Sequence, residues 1–372
     1  MNPKKIDYPK NSPMKTINLP SGAGLSRRDA LRRAASAGAL ISLGPLAGFG
    51  VSTAEAAEEA LGKFPKHPQW KFTFVNHVTT NPFFVPTRYG AEDACALLGC
   101  SYQWTGSEKS IATDMVNALN TAVSAGVDGI AVCLVDLAAF NDPVEKALKA
   151  GIPVVSYNAD AKGNKRLCYI GQDLFQSGKG LGERIIELVP EGEVVGFIAT
   201  PGQLNIQPRL DGAKAAIKES GKNITLNEIA SGAALNDEVS AVEAYYAGHP
   251  NIKGMFAVDA GSTAAVAKAM AAHELQKKGV HAGGFDLLPT TLEAISKGDL
   301  DFTIDQQPYL QGFYTVMVLF LYKISGGLTG PSDIDTGLSF LTKANVEPFL
   351  KTQSRYEGNS SEEKVLKRSG PI

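Results

Sequence analysis

Gly129-Ile130-Ala131-Val132-Cys133-Leu134, a helical pattern over residues 142–150 and Ile152-Pro153-Val154-Val155-Ser156-Tyr157 form the stretch that decides the fold of this chain. The first apolar run is typical of a strand buried on both faces, and the second predicts the next strand. Parallel strands need a crossover connection, usually a helix, and the pattern between the two runs supplies one. The stretch therefore predicts a βαβ unit with two parallel strands.

The same alternation extends to both sides of this unit. Strands are predicted at 71–75 and 101–104 and helices at 85–98 and 111–125, so one domain is complete by about residue 158. The pattern then begins again, with predicted helices at 174–188, 208–220, 238–247, 262–273, 290–297 and 309–325 and strands at 193–199, 226–230, 254–258, 281–285 and 302–305. Repeated βα units predict an α/β fold with two doubly wound parallel-sheet domains. The last helix is strongly apolar but too short and too polar at its start to span a membrane, so we expect it in a core.

The N-terminal segment has the three parts of a secretory signal. Ser26-Arg27-Arg28-Asp29-Ala30-Leu31 ends a basic region, residues 34–51 are apolar, and Ala54-Glu55-Ala56 resembles a cleavage site. Four glycines and a proline interrupt the apolar run, which argues against a membrane anchor. The paired arginines favour the twin-arginine (Tat) pathway over Sec. We therefore expect 1–56 to be a Tat signal peptide and the product to be a soluble periplasmic protein, without a lipid anchor because no Cys precedes Cys95.

Charge and cysteine content restrict the partners. The 372 residues contain 36 Lys plus Arg and 38 Asp plus Glu, so nothing indicates a surface for nucleic acid. The four cysteines have no metal-binding spacing, and neither a metal nor a cofactor is expected. Cys95 and Cys100 either form a disulfide in an oxidising compartment or remain thiols, whereas Cys133 and Cys168 are expected to be buried thiols in strands.

Polar and aromatic side chains gather at the carboxyl ends of the predicted strands, where ligands bind in doubly wound sheets. Aromatic rings pack on the C–H faces of a sugar or cyclic polyol, and Asn, Asp and Gln bond its hydroxyls. Taken singly, several have a structural explanation: Asn81-Pro82 starts a helix, and Asp286 could cap one. The strand-end candidates are His77, Asn81, Phe83, Phe84, Asp136, Asn158, Asp160, Gln203, Asn205, Gln207, Asp259, Phe285, Asp286 and Gln306.

Together, several short motifs resemble those of the type I periplasmic solute-binding proteins of ABC transporters, in particular the ribose-binding-like sugar group. The motifs are Asn81-Pro82-Phe83-Phe84, Ala125-Gly126-Val127-Asp128-Gly129-Ile130, Ala150-Gly151-Ile152-Pro153-Val154-Val155, Arg209-Leu210-Asp211-Gly212, His249-Pro250-Asn251-Ile252, Gly284-Phe285-Asp286 and Thr303-Ile304-Asp305-Gln306-Gln307-Pro308. None is specific alone. Their order and spacing carry the resemblance, which covers nearly all of the chain after the leader.

The resemblance implies a set of ligand contacts. They fall on Asn81, Phe83 and Phe84 in the first domain, on Asp259, Phe285 and Asp286 in the second, and on Gln306 at the hinge. The chain departs from the ribose group at four further expected contacts, His77, Asn158, Asp160 and Gln207. The ribose group has Asp-Arg where Asn158 begins a different pair, and an arginine where Gln207 stands.

These departures predict a pocket with acids but without arginines. Such a pocket favours another sugar, a polyol, a cyclitol or an amino-substituted relative over ribose. Alternatively, Arg209, Lys162 or Lys165 supplies the missing charge from another loop.

The resemblance also implies the domain organisation and the partners. Three crossings, near Gln172, Gln306 and Asp335, would form a hinge between two lobes. The boundaries would be 65–172 with 307–335 for the N-terminal lobe, 173–306 with 336–350 for the C-terminal lobe, and 351–372 for a polar, solvated tail. The protein would be the periplasmic substrate-binding component of an ABC importer, a monomer that delivers its solute to a membrane permease and in some systems to a chemoreceptor.

Two other functions fit an α/β chain. A secreted enzyme acting on a carbohydrate could use an acid pair such as Asp259 and Asp286, with His77 as a base, although the first strand lacks the Gly-x-Gly-x-x-Gly turn of a dinucleotide enzyme. A sugar-responsive repressor would carry a DNA-binding helix-turn-helix where this chain has its leader. We therefore expect a binding protein and not an enzyme.

Overall fold

The computed structural model describes residues 65–351 and 354–362. The predicted signal peptide lies outside these residues. In chain order the elements are β1 (Lys71–Asn76), α1 (Val85–Leu98), β2 (Ser101–Gly106), α2 (Ala112–Ser124), β3 (Gly129–Val132), α3 (Asn141–Lys149), β4 (Val154–Tyr157), β5 (Tyr169–Gly171), α4 (Leu174–Leu188), β6 (Gly192–Ile198), α5 (Gln207–Ser220), β7 (Ile224–Ala230), α6 (Leu235–Gly248), β8 (Gly254–Ala257), α7 (Ala260–Ala272), β9 (His281–Phe285), α8 (Pro289–Lys297), β10 (Phe302–Asp305), α9 (Pro308–Ser325), β11 (Asp333–Asp335), β12 (Ser339–Thr342) and α10 (Glu347–Lys351). Two short 3₁₀ helices cover Pro82–Phe84 and Leu275–Lys278.

The strands form two six-stranded sheets. The first has the order β11-β5-β4-β3-β1-β2, and all its pairs are parallel. The second has the order β12-β10-β9-β8-β6-β7, and its pairs are parallel except for β10 with β12. We call each sheet with the helices packed on it a lobe. The predicted α/β fold with two doubly wound sheets is confirmed, with one antiparallel edge strand in the second.

The βαβ unit predicted from the sequence lies at the centre of the first sheet. Every residue of β3 and β4 is buried, as an apolar run covered by helices on both faces requires. The two strands pair in parallel, with Ile130 opposite Val154. The right-handed βαβ rule then places α3 on one face of the sheet.

The chain passes between the sheets three times: after β5, after β10, and between β11 and β12. The second passage leads into α9, which packs closely on α1 of the first lobe. A Cβ atom at Gly90 would overlap the carbonyl oxygen of Tyr309, and one at Gly312 would overlap that of Thr87. The two helices therefore approach each other at a distance that only glycine permits.

Helix α9 is a core helix, as the sequence predicts. Its Val316, Leu319 and Phe320 are fully buried in the hydrophobic core of the first lobe. Over residues 65–351 and 354–362, no helix combines the length and the apolar character that crossing a membrane requires.

Residues 354–362 of the C-terminal segment contact the first lobe. Arg355 lies with its guanidinium 4.2 Å from the ring centroid of Tyr89 and bonds Asp93 at 2.8 Å and Glu92 at 3.0 Å. Tyr356 packs edge-on against Tyr309, with centroids 4.7 Å apart. Residues 354–362 are therefore docked on α1 and α9.

All four cysteines are free and buried. Of the two possibilities for Cys95 and Cys100, the structure has thiols and no disulfide. Burial raises the pKa of Cys95 to about 12 and that of Cys100 to about 11, so both are protonated at neutral pH.

Candidate functional site

The loops at the carboxyl ends of the two sheets contact each other across a cleft. Ser110 Oγ donates to Gln203 Oε1 at 2.6 Å, and Gln203 Nε2 donates to the Ser110 carbonyl oxygen at 2.8 Å. Next to them, the Leu204 amide donates to the carbonyl oxygen of Val135 at 3.0 Å. Parallel sheets place their ligand-binding loops at this edge, so the cleft brings together the candidate residues of both lobes.

A cavity of about 50 Å³ lies in this cleft, between the two lobes. Its lining is mostly polar, and both lobes contribute to it. The lining residues are His77, Val78, Asn81, Ser110, Ala199, Thr200, Gln203, Asn205, Ile206, Ala233, Glu238, Asp259 and Ala260.

His77 follows β1 and supplies a neutral imidazole to the cavity. Asn205 Nδ2 lies 3.2 Å from His77 Nε2, and because an amide nitrogen only donates, Nε2 accepts and the ring proton is on Nδ1. Burial lowers the pKa of His77 to about 4, so the ring is uncharged at neutral pH. Among the described residues, neither His77 Nδ1 nor Asn205 Oδ1 has a hydrogen-bond partner. This pair, whose two residues line the cavity, therefore has one buried donor and one buried acceptor left unsatisfied by the described residues.

The Asn81-Pro82-Phe83-Phe84 motif separates into three roles. Asn81 lines the cavity and caps the 3₁₀ helix, with its Oδ1 accepting from the Phe83 amide at 2.9 Å. Phe84 is buried and packs edge-on against the His77 ring, with centroids 5.3 Å apart. Phe83 does not line the cavity.

Phe83 and Asp286 instead line a second, larger groove of about 550 Å³. This groove lies beside the start of α1 and of α8 and reaches the docked C-terminal segment at Tyr356. Apolar residues dominate its walls, whereas the polar groups of both lobes converge on the smaller cavity. We therefore assign the candidate site to the cavity, because it lies at the carboxyl ends of both sheets, where doubly wound sheets bind ligands.

Two acids of the second lobe, Glu238 and Asp259, lie at the cavity wall, and we call them the acid pair. Asp259 caps α7 and accepts from the Ser262 amide and hydroxyl, both at 2.9 Å, and from the Ala199 amide at 3.0 Å. Glu238 lies on the first turn of α6 and is only 4% exposed. Its burial, together with the nearby Asp259 carboxylate, raises its pKa to about 9. Sequence reasoning missed Glu238, because a glutamate in a first helical turn usually faces solvent.

A buried amide and carboxyl network links the lobes at the predicted hinge, and we call it the hinge network. Asn158 Nδ2 donates to Gln306 Oε1 at 3.4 Å and to Gln311 Oε1 at 3.2 Å. Gln306 Nε2 donates to Asp286 Oδ1 at 2.7 Å. Burial raises the pKa of Asp286 to about 7, although Arg209 and Gln306 act in the opposite direction. The network therefore contains one carboxyl group that titrates near neutral pH.

Backbone strain concentrates at the same place. Five non-glycine residues among those described have a positive φ, and four of them lie at the cleft or hinge: Ser110 at 60°, Asn158 at 63°, Asp286 at 75° and Gln307 at 56°. Such conformations cost free energy and cluster at functional sites.

Arg209 is buried beside Phe285 and is not among the residues that line the cavity. Its guanidinium lies 4.2 Å from the ring centroid of Phe285, and Nη1 donates to the Val258 carbonyl oxygen at 2.9 Å. The side chain is buried, which lowers its pKa, while the negative charges of Asp286 and Asp259 oppose that effect. Its Nε has no partner among the described residues.

Gln207 and Asp160 are two further expected contacts that lie away from the cavity. Gln207 accepts from the Gly202 amide at 2.8 Å and donates to Asp211 at 3.0 Å, so its amide is used along its own helix. Asp160 accepts from Arg166 at 2.7 and 2.9 Å, and from Ser156 at 2.7 Å. Arg166 therefore pairs with the Asp160 carboxylate outside the cavity.

A sequence model described as a periplasmic binding protein domain matches residues 72–326, which include most of both lobes. The chain belongs to the periplasmic binding protein family. Over 93% of its length it is 47% identical to the xylose/arabinose-binding protein of Sulfolobus acidocaldarius, 92% of which is covered. It is also 25% identical, over 61% of its length, to the ribose import binding protein of Escherichia coli, of which 76% is covered.

Solved structures agree with this periplasmic binding protein assignment. A solute-binding protein of an ABC transporter from Burkholderia graminis, in complex with D-arabinose, superposes with a TM-score of 0.70 at 28% identity, covering 75% of this chain and 97% of that one. A carbohydrate transporter protein from Acidothermus cellulolyticus, in complex with myo-inositol, gives 0.69 at 27% identity, covering 78% and 100%. The resemblance predicted from the sequence motifs is confirmed.

Proposed function

We propose that this chain is the substrate-binding component of an ABC importer and that it captures a small sugar or sugar-like polyol in the cleft between its lobes. One observation carries the proposal: the cavity at the facing carboxyl ends of the two sheets is lined by polar groups of both lobes, some of them without a protein partner. A hydroxylated ligand supplies both donors and acceptors to such groups.

A pentose is the first candidate ligand. The relative that shares 47% of its residues is named for xylose and arabinose, and a structural neighbour holds D-arabinose. The neighbour with myo-inositol makes a cyclitol the second candidate. The cavity of about 50 Å³ is far smaller than the several hundred Å³ typical of ligand pockets. We therefore propose that the lobes separate to admit the sugar and then close around it.

The closing motion would use the three chain crossings as a hinge, with the lobe boundaries predicted above. The hinge network supports this proposal, because Asn158 and Gln311 from the first lobe meet Gln306 and Asp286 at the end of the second sheet. Side chains that change partners at a crossing absorb the rotation of the lobes.

The acid pair favours a binder over a carbohydrate-cleaving enzyme. A glycosidase needs a carboxylate free to attack or to activate water. Asp259 instead accepts three hydrogen bonds from its own lobe, at 2.9 to 3.0 Å. We therefore propose that the protein releases its ligand unchanged to a membrane permease, after export by the leader at 1–56.

A ligand screen tests this proposal. Purified protein is heated with D-xylose, L-arabinose, D-arabinose, D-ribose, myo-inositol or glycerol, and the melting temperature is recorded. At least one pentose should raise it by several degrees, because a ligand bound only by the folded state stabilises that state. Chromatography of the recovered sugar should show no product. Failure of all the pentoses and of the cyclitol, or turnover of any of them, would contradict the proposal.

A further inference from the structure

Glu238 occupies a position that the fold has made for it. Its side chain lines the cavity, and its carboxyl group lies directly against Gly261 in the first turn of α7. A Cβ atom at Gly261 would overlap both carboxyl oxygens of Glu238. Because position 261 has no side chain, the carboxyl group fits between α6, α7 and the cavity.

The neighbours of Glu238 decide its protonation. Asp259 lies beside it on the adjacent loop, and Asp237 precedes it on the same helix; both carry negative charge that opposes ionisation of Glu238. Across the cavity, His77 is neutral, since burial lowers its pKa to about 4. The charge of Arg209 interacts with Asp259 and Asp286. Two adjacent carboxyl groups with no cation between them share one proton, and burial places it on Glu238.

Asp259 is held in place by its own lobe. Its two oxygens already accept from Ala199 and Ser262, which are the contacts of a helix cap. Glu238 hydrogen-bonds the Asp259 side chain, so its proton lies between the two acids and its other carboxyl oxygen is an acceptor. The acid pair therefore offers the cavity a hydrogen-bond acceptor, and this is what the O–H group of a sugar hydroxyl requires of its partner.

We propose that Glu238 is a specificity-determining residue, whose carboxyl group, placed against Gly261 and beside Asp259, bonds one particular hydroxyl of the bound sugar. The proposal rests on the sugar-binding function proposed above. The unpartnered Nδ1 of His77 and Oδ1 of Asn205, in the same cavity, point to a ligand with several hydroxyls. A sugar without the hydroxyl in question leaves Glu238 unpaired and binds more weakly.

The test uses two variants of the full chain, Glu238→Gln and Glu238→Ala, and one control. Glutamine has the shape of protonated glutamate and stays neutral, whereas alanine removes both hydrogen-bonding atoms. Glu243→Gln is the matched control, because Glu243 lies on the same helix but pairs with His273 outside the cavity. Isothermal titration calorimetry measures the affinity for the best sugar of the screen and for each of its monodeoxy analogues.

At pH 7 we expect Glu238→Gln to bind the parent sugar within about threefold of wild type, and Glu238→Ala to bind it at least about tenfold more weakly. For the deoxy analogue that lacks the hydroxyl held by Glu238, wild type and Glu238→Ala should have equal affinities. Wild-type affinity should fall as the pH rises through 9, where Glu238 ionises next to Asp259, and the glutamine variant should not show this fall. The Glu243→Gln control should follow wild type throughout.

Two results would overturn the inference. In the first, Glu238→Ala leaves the ratio between the affinity for the parent sugar and the affinity for the deoxy sugar unchanged for every analogue. This is the result expected if Glu238 only stabilises the start of its helix. The other is a Glu238→Gln variant that keeps the alkaline fall of wild type. In both cases wild type still binds sugar, so the proposed function stands; absence of any wild-type binding overturns both proposals.

Discussion

Ser110 and Gln203 hold each other across the cleft through two hydrogen bonds, 2.6 Å from Ser110 Oγ to Gln203 Oε1 and 2.8 Å from Gln203 Nε2 to the Ser110 carbonyl oxygen. Both residues line the cavity, and they come from opposite sheets. The closed arrangement of the lobes is thus stabilised by a direct contact that opening must break.

We expect Gln203→Ala to weaken sugar binding by about three- to tenfold, because a hydrogen-bonded pair of this kind contributes on the order of 1 kcal/mol. The loss should appear mainly as faster ligand dissociation, measured by stopped-flow fluorescence. Gln207→Ala is the control, since the Gln207 amide bonds only near its own helix, at Asp211 and Gly202. Equal dissociation rates for the two variants would show that the contact does not hold the lobes together.

Asp286 should make stability depend on pH in the direction opposite to an ordinary carboxylate. Its pKa is raised by burial to about 7 in the folded protein, from 3.8. The folded state therefore binds a proton that the unfolded state has lost, and its stabilising effect disappears as the pH rises from about 4 to 7. In urea denaturation, the free energy of unfolding of wild type should fall by up to about 4 kcal/mol more than that of Asp286→Asn over this pH range. Parallel pH profiles of the two proteins would contradict the assignment.

The close approach of α1 and α9 should make Gly312 intolerant of substitution. A Cβ atom there overlaps the carbonyl oxygen of Thr87, which is backbone and cannot rotate away. We expect Gly312→Ala to lower the free energy of unfolding by about 2–3 kcal/mol. Gly248→Ala is the matched control, because no atom lies within 4 Å of a Cβ there and alanine favours the helix. If Gly312→Ala left the free energy of unfolding unchanged, α1 and α9 would pack less closely than described.

The docked C-terminal segment should depend on Arg355. This side chain is only 13% exposed and bonds both Asp93 and Glu92 on α1. We expect Arg355→Ala to speed amide hydrogen exchange in residues 354–362, because the segment loses its main attachment to the first lobe. Lys351→Ala removes only an exposed pair with Glu347 and should leave the exchange unchanged. Exchange that is already complete in wild type at the earliest time would argue against docking.

The sequence predicted the fold well because buried parallel strands are apolar runs. The helix bounds 85–98 and 174–188 and the strand bounds 281–285 and 302–305 agree with the structure. The elements that were missed, β5, β11, β12 and α10, have only three to five residues. Runs this short have no periodicity to detect. The three strands among them form only by pairing with strands that are distant in the sequence.

The site was harder to predict, because tertiary contacts decide which side chains face it. Gln207 was expected in place of an arginine, but two positions along a helix turn a side chain to a different face, and it is Arg209 that faces Phe285. Glu238 looks like an ordinary helix-start acid until the glycine at 261 is brought against it. Phe83 and Phe84 are adjacent in sequence, yet only Phe84 packs against His77.

The central claim is that a pentose binds between the two lobes against the acid pair. Calorimetric titration of D-xylose and L-arabinose into wild type and into Asp259→Asn tests it most directly. We predict binding of one molecule per chain in wild type, and an affinity at least about tenfold lower in the variant, because the amide cannot replace a carboxylate that accepts three hydrogen bonds. The claim would be contradicted if neither D-xylose nor L-arabinose bound to wild type, or if the two proteins had equal affinity for the pentose.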